Sequence, residues 1–373
     1  MLDKQYLFEA RQGGYRICRI PGVCVAPGGA VLATVEARRG GGGDYDDNDV
    51  LLRRSADGGR NWEPARLLVP NAVYGPGPVS NFVMIADSAT REVQALFCHD
   101  YARVFSLSSP DDGITWSEPR EVTATFAAFR QYYPWRVCAT GPGHGTQLRS
   151  GRLIVPVWLS DGSGAEMGPG HRGHRPSAVA LVYSDDHGRT WQPGEIVCRH
   201  GDNVDGCTVV NPSETIMVEC EDGRVLLNMR SESERHRRLT AVSADGVTGW
   251  RGFRWDQALL EPICMAALVR YDWAGAGRPG RVLFANPDTL DKTMAKWACD
   301  RKRVTVKLSE DDGRTWCASP VLEAGPAGYS DLAVLPDGTI LCLYECGHIE
   351  HMGDTRAVTL ARFDLAWLRQ GAS

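Results

Sequence analysis

Gly40 to Gly43 run straight into Asp44-Tyr45-Asp46-Asp47-Asn48-Asp49, a glycine-rich turn loaded with side-chain oxygens. A carboxyl carried on such a loop can hand a proton to a bound molecule or ligate a cation. The oxygens recur at alternate positions as in a calcium loop, but the glycine and closing glutamate of that motif are missing, so no calcium is expected. Nor is this a phosphate loop, because no Gly-Lys-Ser/Thr follows. His171 and His174 lie in a Gly/Pro-rich stretch that offers only two metal ligands. It is expected to be a surface loop beside the site, and neither a metal nor a cofactor is expected. Other reactive types stand at strand ends: Arg230 closes Leu226-Leu227-Asn228-Met229, and Arg301-Lys302-Arg303 precede an apolar run. Tyr329-Ser330-Asp331-Leu332 is followed by the turn Pro336-Asp337-Gly338 and a run to Tyr344-Glu345. Guanidinium groups grip a carboxylate with paired, charge-assisted hydrogen bonds and keep their proton. A phenol becomes a nucleophile when a neighbouring carboxylate takes its proton.

The elements that would hold these side chains are announced by a repeat, Ser-x-Asp-x-Gly-x-x-Trp. It occurs at Ser55 to Trp62, Ser109 to Trp116, Ser184 to Trp191 and Ser309 to Trp316, with a degenerate copy at Ser243, Asp245, Gly246 and Trp250. Ser and Asp side chains bond nearby backbone in a turn, Gly supplies a φ other residues resist, and Trp anchors the turn from below. Short apolar runs between the copies predict strands at 31–35, 50–53, 93–97, 153–158, 178–183, 225–229, 282–285, 304–308 and 340–344. Helical periodicity is nearly absent outside the last ten residues. Copies roughly 55 to 75 residues apart match one four-stranded sheet each, the geometry of propeller blades. Five copies plus a terminal blade predict an all-β, six-bladed β-propeller with Asp-box repeats, one domain over 1–373.

Composition excludes several classes. At 43% hydrophobic and 23% charged residues the chain is globular, and no apolar run approaches the ~18 residues that span a bilayer; no membrane partner is expected. Net charge is −5 and the arginines form no basic stripe, so nucleic acid is not an expected partner. The twelve cysteines are scattered without a tight Cys-x-x-Cys pair, which predicts free thiols in a reducing compartment. Residues 1–16 do not read as a secretory signal. The expected location is cytoplasmic as the chain stands, secreted or periplasmic if a signal has been removed. Oligomeric state is not legible.

With Arg19-Ile20-Pro21 near the amino terminus, the four boxes make the chain resemble the sialidase (neuraminidase) family of six-bladed propellers over essentially its whole length. That resemblance implies an exo-α-sialidase, a retaining glycoside hydrolase releasing terminal sialic acid from a sialylated glycan. It implies that Arg19 and Arg230 are the first two members of a triad binding the substrate carboxylate. The third is Arg301 by its interval from the Trp316 box, although strand alternation would put Arg303 on the same face. Tyr329 would be the nucleophile, its phenol shifted downward by the three cations from the usual ~10. Glu214 would take its proton, Glu345 would orient Arg19, and Asp44 would be the general acid, with Asp46 and Asp47 close by. The segment around the base departs from the family's usual Asn-Glu-(Ser/Cys)-Gln, reading Asn211-Pro212-Ser213-Glu214-Thr215, which keeps Glu219 as a second candidate. Phe82, Tyr132, Tyr133 and Trp135 are candidate pocket walls, with core packing the expected role for any one of them. Two other readings stand: a non-catalytic box propeller binding glycans or peptides, which needs no converging Tyr329 and Glu214, and a relative acting on another nonulosonic acid or by transfer.

Overall fold

The predicted runs become strands because both of their faces are covered. Every residue of Val31–Arg38 and of Leu153–Ser160 is buried, so these segments read as continuous apolar stretches rather than as alternating ones. The computed structural model describes residues 2–293 and 299–370. Its strands pair antiparallel in sequence order. The first sheet is Ile17–Val25, Val31–Arg38, Asn48–Ser55 and Arg66–Val69; the second is Val79–Asp87, Glu92–His99, Arg103–Ser109 and Arg120–Glu121. The third is Val137–Thr140, Leu153–Ser160, Ser177–Ser184 and Gln192–Arg199, and the fourth is Thr215–Glu219, Val225–Met229, Arg237–Ser243 and Arg251–Leu260. The fifth and sixth share one strand, Val321–Val334. Its start is the outer strand of a sheet with Lys302–Ser309, Arg281–Pro287 and Ala267–Asp272; its end pairs with Ile340–His348 and leads to Thr355–Phe363. Leu2–Glu9 pairs with Thr355–Phe363, so the amino-terminal strand completes the sixth sheet.

Each pair of neighbouring sheets encloses a hydrophobic core, including one between the sixth sheet and the first. Alternate residues of one strand feed different cores: Val31 and Ala33 share one with Leu341 and Val358 of the sixth sheet, whereas Leu32 shares one with Met84 and Ala95 of the second. Cores between every neighbouring pair close the ring into a six-bladed β-propeller.

The boxes are the turns between third and fourth strands. In the first, Ser55 Oγ donates to Asp57 Oδ1 (2.8 Å) and accepts from Gly59 N (2.9 Å), while Asp57 Oδ1 accepts from Asn61 N (2.9 Å). The degenerate copy keeps the arrangement, with Ser243 Oγ donating to Asp245 Oδ1 (2.9 Å) and accepting from Gly246 N (3.1 Å). The box glycine has a positive φ, +79° at Gly59 and +81° at Gly113, which explains its invariance among the copies. The sixth blade has no box because its fourth strand comes from the other end of the chain. All twelve cysteines are free, and no helix among the described residues is long and apolar enough to cross a membrane.

One buried ion pair ties blades together near the axis. Asp331, fully buried, accepts from His144 Nδ1 (2.6 Å) of the third blade and from Val23 N (2.9 Å) of the first. Burial pulls the His144 imidazole down, but the Asp331 charge and hydrogen bond prevail and raise it above its usual value. A histidine raised in the folded state stabilises fully below its unfolded pKa of ~6.5 and loses that contribution as pH climbs through the folded value. Urea unfolding of the wild type is therefore expected to weaken from pH 6 to pH 9, and His144→Gln to flatten that decline. Asp331→Asn is expected to cost about 3–5 kcal/mol, the usual penalty for breaking a buried pair.

Candidate active site

Arg19 from the first blade, Asn81 from the second, Trp158 from the third, Glu214 and Arg230 from the fourth, Arg301 from just before a fifth-blade strand and Tyr329 from the sixth line one cavity of about 760 Å³. Contributions from all six blades put it at the end of the propeller axis. Asp44 lines it as well.

Tyr329 lies where Val321–Val334 crosses from the fifth blade to the sixth, at a break in the register between Ala327 and Ser330. Its hydroxyl donates to Glu214 Oε1 and accepts from Arg230 Nη1 (2.8 Å), and Arg230 Nη1 also donates to Glu214 Oε2. The guanidiniums of Arg19 and Arg301 stand 5.3 and 5.0 Å from the centre of the Tyr329 ring. Glu345 organises the neighbouring corner: it accepts from Arg19 Nε (3.0 Å) and Nη2 (3.2 Å), and from the backbone of Ile20 (3.2 Å) and Tyr329 (3.2 Å). That packing requires glycine at 328, where a Cβ would come within 2.4 Å of Glu345 Oε2.

Arg301 differs from its two companions. Its Nη2 donates to Ile263 O (2.9 Å) and its backbone N to Met352 Sδ (3.3 Å), and among the described residues no carboxylate pairs with it. Arg19 is balanced by Glu345 and Arg230 by Glu214. The floor of the cavity thus keeps a net positive charge, as an anion site requires. Arg303 is a different case from Arg301. It is exposed, has φ +61° at a break in the strand register, and does not line the cavity. Strand alternation fails here because Arg301 precedes the strand Lys302–Ser309.

The Asp44 turn is tightly bonded. Gly42 N donates to Arg39 O (3.1 Å), Gly43 N to Asp46 Oδ2 (2.7 Å), and Asn71 Nδ2 to Asp47 Oδ1 (3.2 Å). Asp46 and Asp47 are thereby held within the turn, and Asp44 is the carboxyl that faces the cavity. Asp44 Oδ1 accepts from Arg38 Nη1 (2.7 Å), and Arg38, fully buried, is held in turn by Glu36 Oε2 (2.7 Å). Burial pulls the Asp44 carboxyl upward, but Arg38, then His174 and Arg19, prevail and hold it well below the usual carboxylate range.

The phenol departs from expectation. Burial and the Glu214 charge push Tyr329 well above the ordinary tyrosine value, and the opposing pull of Arg230, Arg301 and Arg19 does not offset them. Tyr329 is a neutral phenol with its proton already directed at Glu214. Glu219, the second candidate for the base, is occupied elsewhere, pairing with Arg149 Nε (2.9 Å).

Of the four candidate aromatics, Phe82 and Trp135 pack in cores, the role expected for any one of them, and none is a wall. Phe82 packs between Phe97 and Trp116 in the core of the first two blades. Trp135 is buried with its indole donating to Phe126 O (2.8 Å), Tyr133 donates to Pro176 O (2.9 Å), and Tyr132 is 65% exposed. None of the four lines the cavity; Tyr101, Trp158, Met167 and His174 do. Asn211, Arg175 and Glu232 form a further polar side, with Arg175 Nε donating to Glu232 (2.9 Å) and Asn211 Nδ2 to Glu232 Oε2 (2.9 Å). Glu36 and Arg38 carried a readable signal, two charges at i and i+2 following an apolar run in one strand and hence on one face.

The model of the BNR repeat-like domain family matches residues 82–342. A sialidase of Micromonospora viridifaciens is 33% identical over 95% of this chain and 52% of its own length, and a sialidase of Bacteroides fragilis is 27% identical over 90% and 60%. The chain thus spans little more than half the length of these relatives. Among solved structures, the Hadza microbial sialidase Hz136 superposes with a TM-score of 0.77 at 24% identity, covering 98% of this chain and 69% of that one. On the strength of the family match and the shared propeller, the chain belongs to the BNR repeat-like, sialidase-type propeller family.

Proposed function

We propose that this chain is an exo-α-sialidase that releases terminal sialic acid from sialylated glycans with retention, through a tyrosyl intermediate. The observation that carries the reading is the convergence of Tyr329, Glu214 and Arg230 in one hydrogen-bonded cluster beside the uncompensated Arg301. A propeller that merely bound glycans or peptides would have no use for a phenol poised on a carboxylate.

The substrate carries a carboxylate on its anomeric carbon. Arg19, Arg230 and Arg301 bind that group, and Arg301, lacking a carboxylate partner, gains most from it. An anionic nucleophile would be repelled by the same carboxylate, whereas a neutral phenol is not. As the Tyr329 oxygen bonds to the anomeric carbon, its proton passes to Glu214, so the buried phenol never exists as a free anion. The glycosidic oxygen leaves with a proton from Asp44. Water, deprotonated by Asp44, then breaks the tyrosyl bond and Glu214 returns the proton to Tyr329.

Asp44 begins ionised, so it must gain its proton as substrate binds. The substrate carboxylate opposes the pull of Arg19, and the sugar ring displaces water from around the acid. On a natural glycoside, log kcat/KM is expected to fall with a slope of about −1 per pH unit from mildly acid to neutral pH, because the protonated fraction of the free enzyme falls tenfold per unit. An aryl sialoside with an activated phenol leaving group should give a flatter profile. Measuring free sialic acid released from a small panel of sialosides tests the proposal as a whole; no release from any member would return the chain to the binding-module reading.

A further inference from the structure

Two fully buried charges stand between the strand that leads to Arg230 and the turn that holds Arg301, and the mechanism above uses neither. Arg238, in Arg237–Ser243, donates from Nη1 to Oε2 of Glu261 (2.6 Å), which follows Arg251–Leu260. Burying such a pair costs desolvation that its attraction often only offsets, so a gain in stability does not account for it. What the pair holds is more informative. Arg238 Nε and Nη2 donate to Asn228 Oδ1 (2.6 Å) and Asn228 O (3.1 Å), two residues before Arg230. On the other side, Glu261 Oε1 accepts from Cys264 N (2.9 Å) and Arg238 Nη1 donates to Cys264 O (3.3 Å). The pair thus takes both backbone groups of Cys264, and the preceding residue, Ile263, has φ +64°. A β-branched residue is strained in that conformation and adopts it only where its surroundings impose it. The Ile263 carbonyl accepts from Arg301 Nη2 (2.9 Å), among the described residues the one hydrogen bond to that guanidinium. Arg230 is held independently, by Glu214 and Tyr329.

We propose that Arg238 and Glu261 are positioning residues for the anion site: the pair imposes the Ile263 turn, and through the Ile263 carbonyl it aims Arg301 at the substrate carboxylate. This rests on the sialidase reading above. The reason is one of charge. A carboxylate partner fixes a guanidinium and also cancels it, as Glu345 does for Arg19. A backbone carbonyl fixes it by a hydrogen bond and leaves its full positive charge to the ligand. A carbonyl can do this only if its own direction is fixed, which requires a rigid turn at a conformation that isoleucine does not choose for itself. The buried pair supplies that rigidity by clamping Cys264 from both sides. Because the two charges balance each other, the pair adds no net charge beneath the floor and leaves the field of Arg301 undiminished.

The test replaces the pair by apolar residues of similar volume, Arg238→Met with Glu261→Leu, an exchange that buried ion pairs often tolerate without loss of stability. Urea unfolding and circular dichroism establish that the paired variant is folded. On an aryl sialoside its KM is expected to rise roughly ten- to hundredfold, the worth of a hydrogen bond to a charged group. Calorimetric binding of free sialic acid should weaken by the same factor. The kcat should change little, because the carboxylate contact is made equally before and during bond breaking. Ile263→Pro leaves the pair in place but cannot adopt a positive φ, and it should give the same rise in KM. In an Arg301→Ala background the paired substitution should cost nothing further, since its effect runs through Arg301. Wild-type KM in either folded variant would overturn the positioning role, as would a loss that persists undiminished in Arg301→Ala. A crystal structure of the paired variant keeps the inference separate from the hydrolase reading. Arg301 Nη2 displaced from the Ile263 carbonyl would sustain it even if no sialoside were cleaved, and an unmoved Arg301 would overturn it.

Discussion

Tyr329→Phe is expected to lower kcat on an aryl sialoside by roughly 10⁴- to 10⁶-fold, the scale seen when a nucleophile acting in a unit with its base is removed. The loss should fall on kcat with little change in KM. The ring that Arg19 and Arg301 pack against is retained, and the substrate carboxylate still meets the same guanidiniums. Only the oxygen is lost, leaving Glu214 with no proton to take and Arg230 Nη1 without one acceptor. Glu214→Gln removes the acceptor of the proton and keeps the nucleophile, so its cost should be smaller, about 10²- to 10⁴-fold. Steady-state kinetics of both variants, with circular dichroism to confirm that the propeller is intact, checks the ordering. Turnover like that of the wild type in Tyr329→Phe would sink the nucleophile assignment, since no second tyrosine lines the floor; Tyr101 belongs to the aromatic wall beside His174.

The ring of blades was legible because its signals are local. A box needs Ser, Asp, Gly and Trp at fixed spacing to close one turn, and even the degenerate copy, with its glycine one position early, forms the same bonds. The inner strands were legible because they feed two cores and carry long apolar runs. The strand-borne residues Arg19, Tyr329 and Glu345, together with Arg230 at the end of its strand, could be located from the segments that carry them. What could not be read depends on contacts between distant segments. The choice of Arg301 over Arg303 turns on a register break paired with Val321–Val334. The aromatic wall is assembled from the end of one strand pair, the middle of another and an irregular loop at 161–176, and no periodicity links Tyr101, Trp158 and His174. Trp135 and Phe82 carry the same residue types and turn inward, Trp135 to bond Phe126 O and Phe82 to pack on Phe97 and Trp116. The direction of the Tyr329 shift is hidden for a similar reason: the cations can be counted in the sequence, but the burial and the single close carboxylate that outweigh them cannot.

Asp44→Asn separates the two halves of the mechanism. The amide can still accept from Arg38 Nη1, as Asp44 Oδ1 does (2.7 Å), so the turn that carries it should persist. It cannot deliver a proton. A natural glycoside has an alkoxide-like leaving group that must be protonated as the bond breaks, and its kcat/KM is expected to fall by about 10²- to 10⁴-fold. An aryl sialoside with an acidic phenol leaves unaided, and its loss in kcat/KM should stay within roughly tenfold, while the slower attack of unassisted water on the tyrosyl intermediate lowers kcat alone. The variant should also lose the descending pH limb on the natural substrate, because the group whose protonation sets that limb has gone. Comparing kcat/KM for the two substrates across pH in wild type and variant gives both readouts at once. Equal losses on the two substrates would move proton delivery away from Asp44, and since Arg38 and Arg19 keep that carboxyl ionised in the free site, an unchanged pH limb would show that a different group titrates.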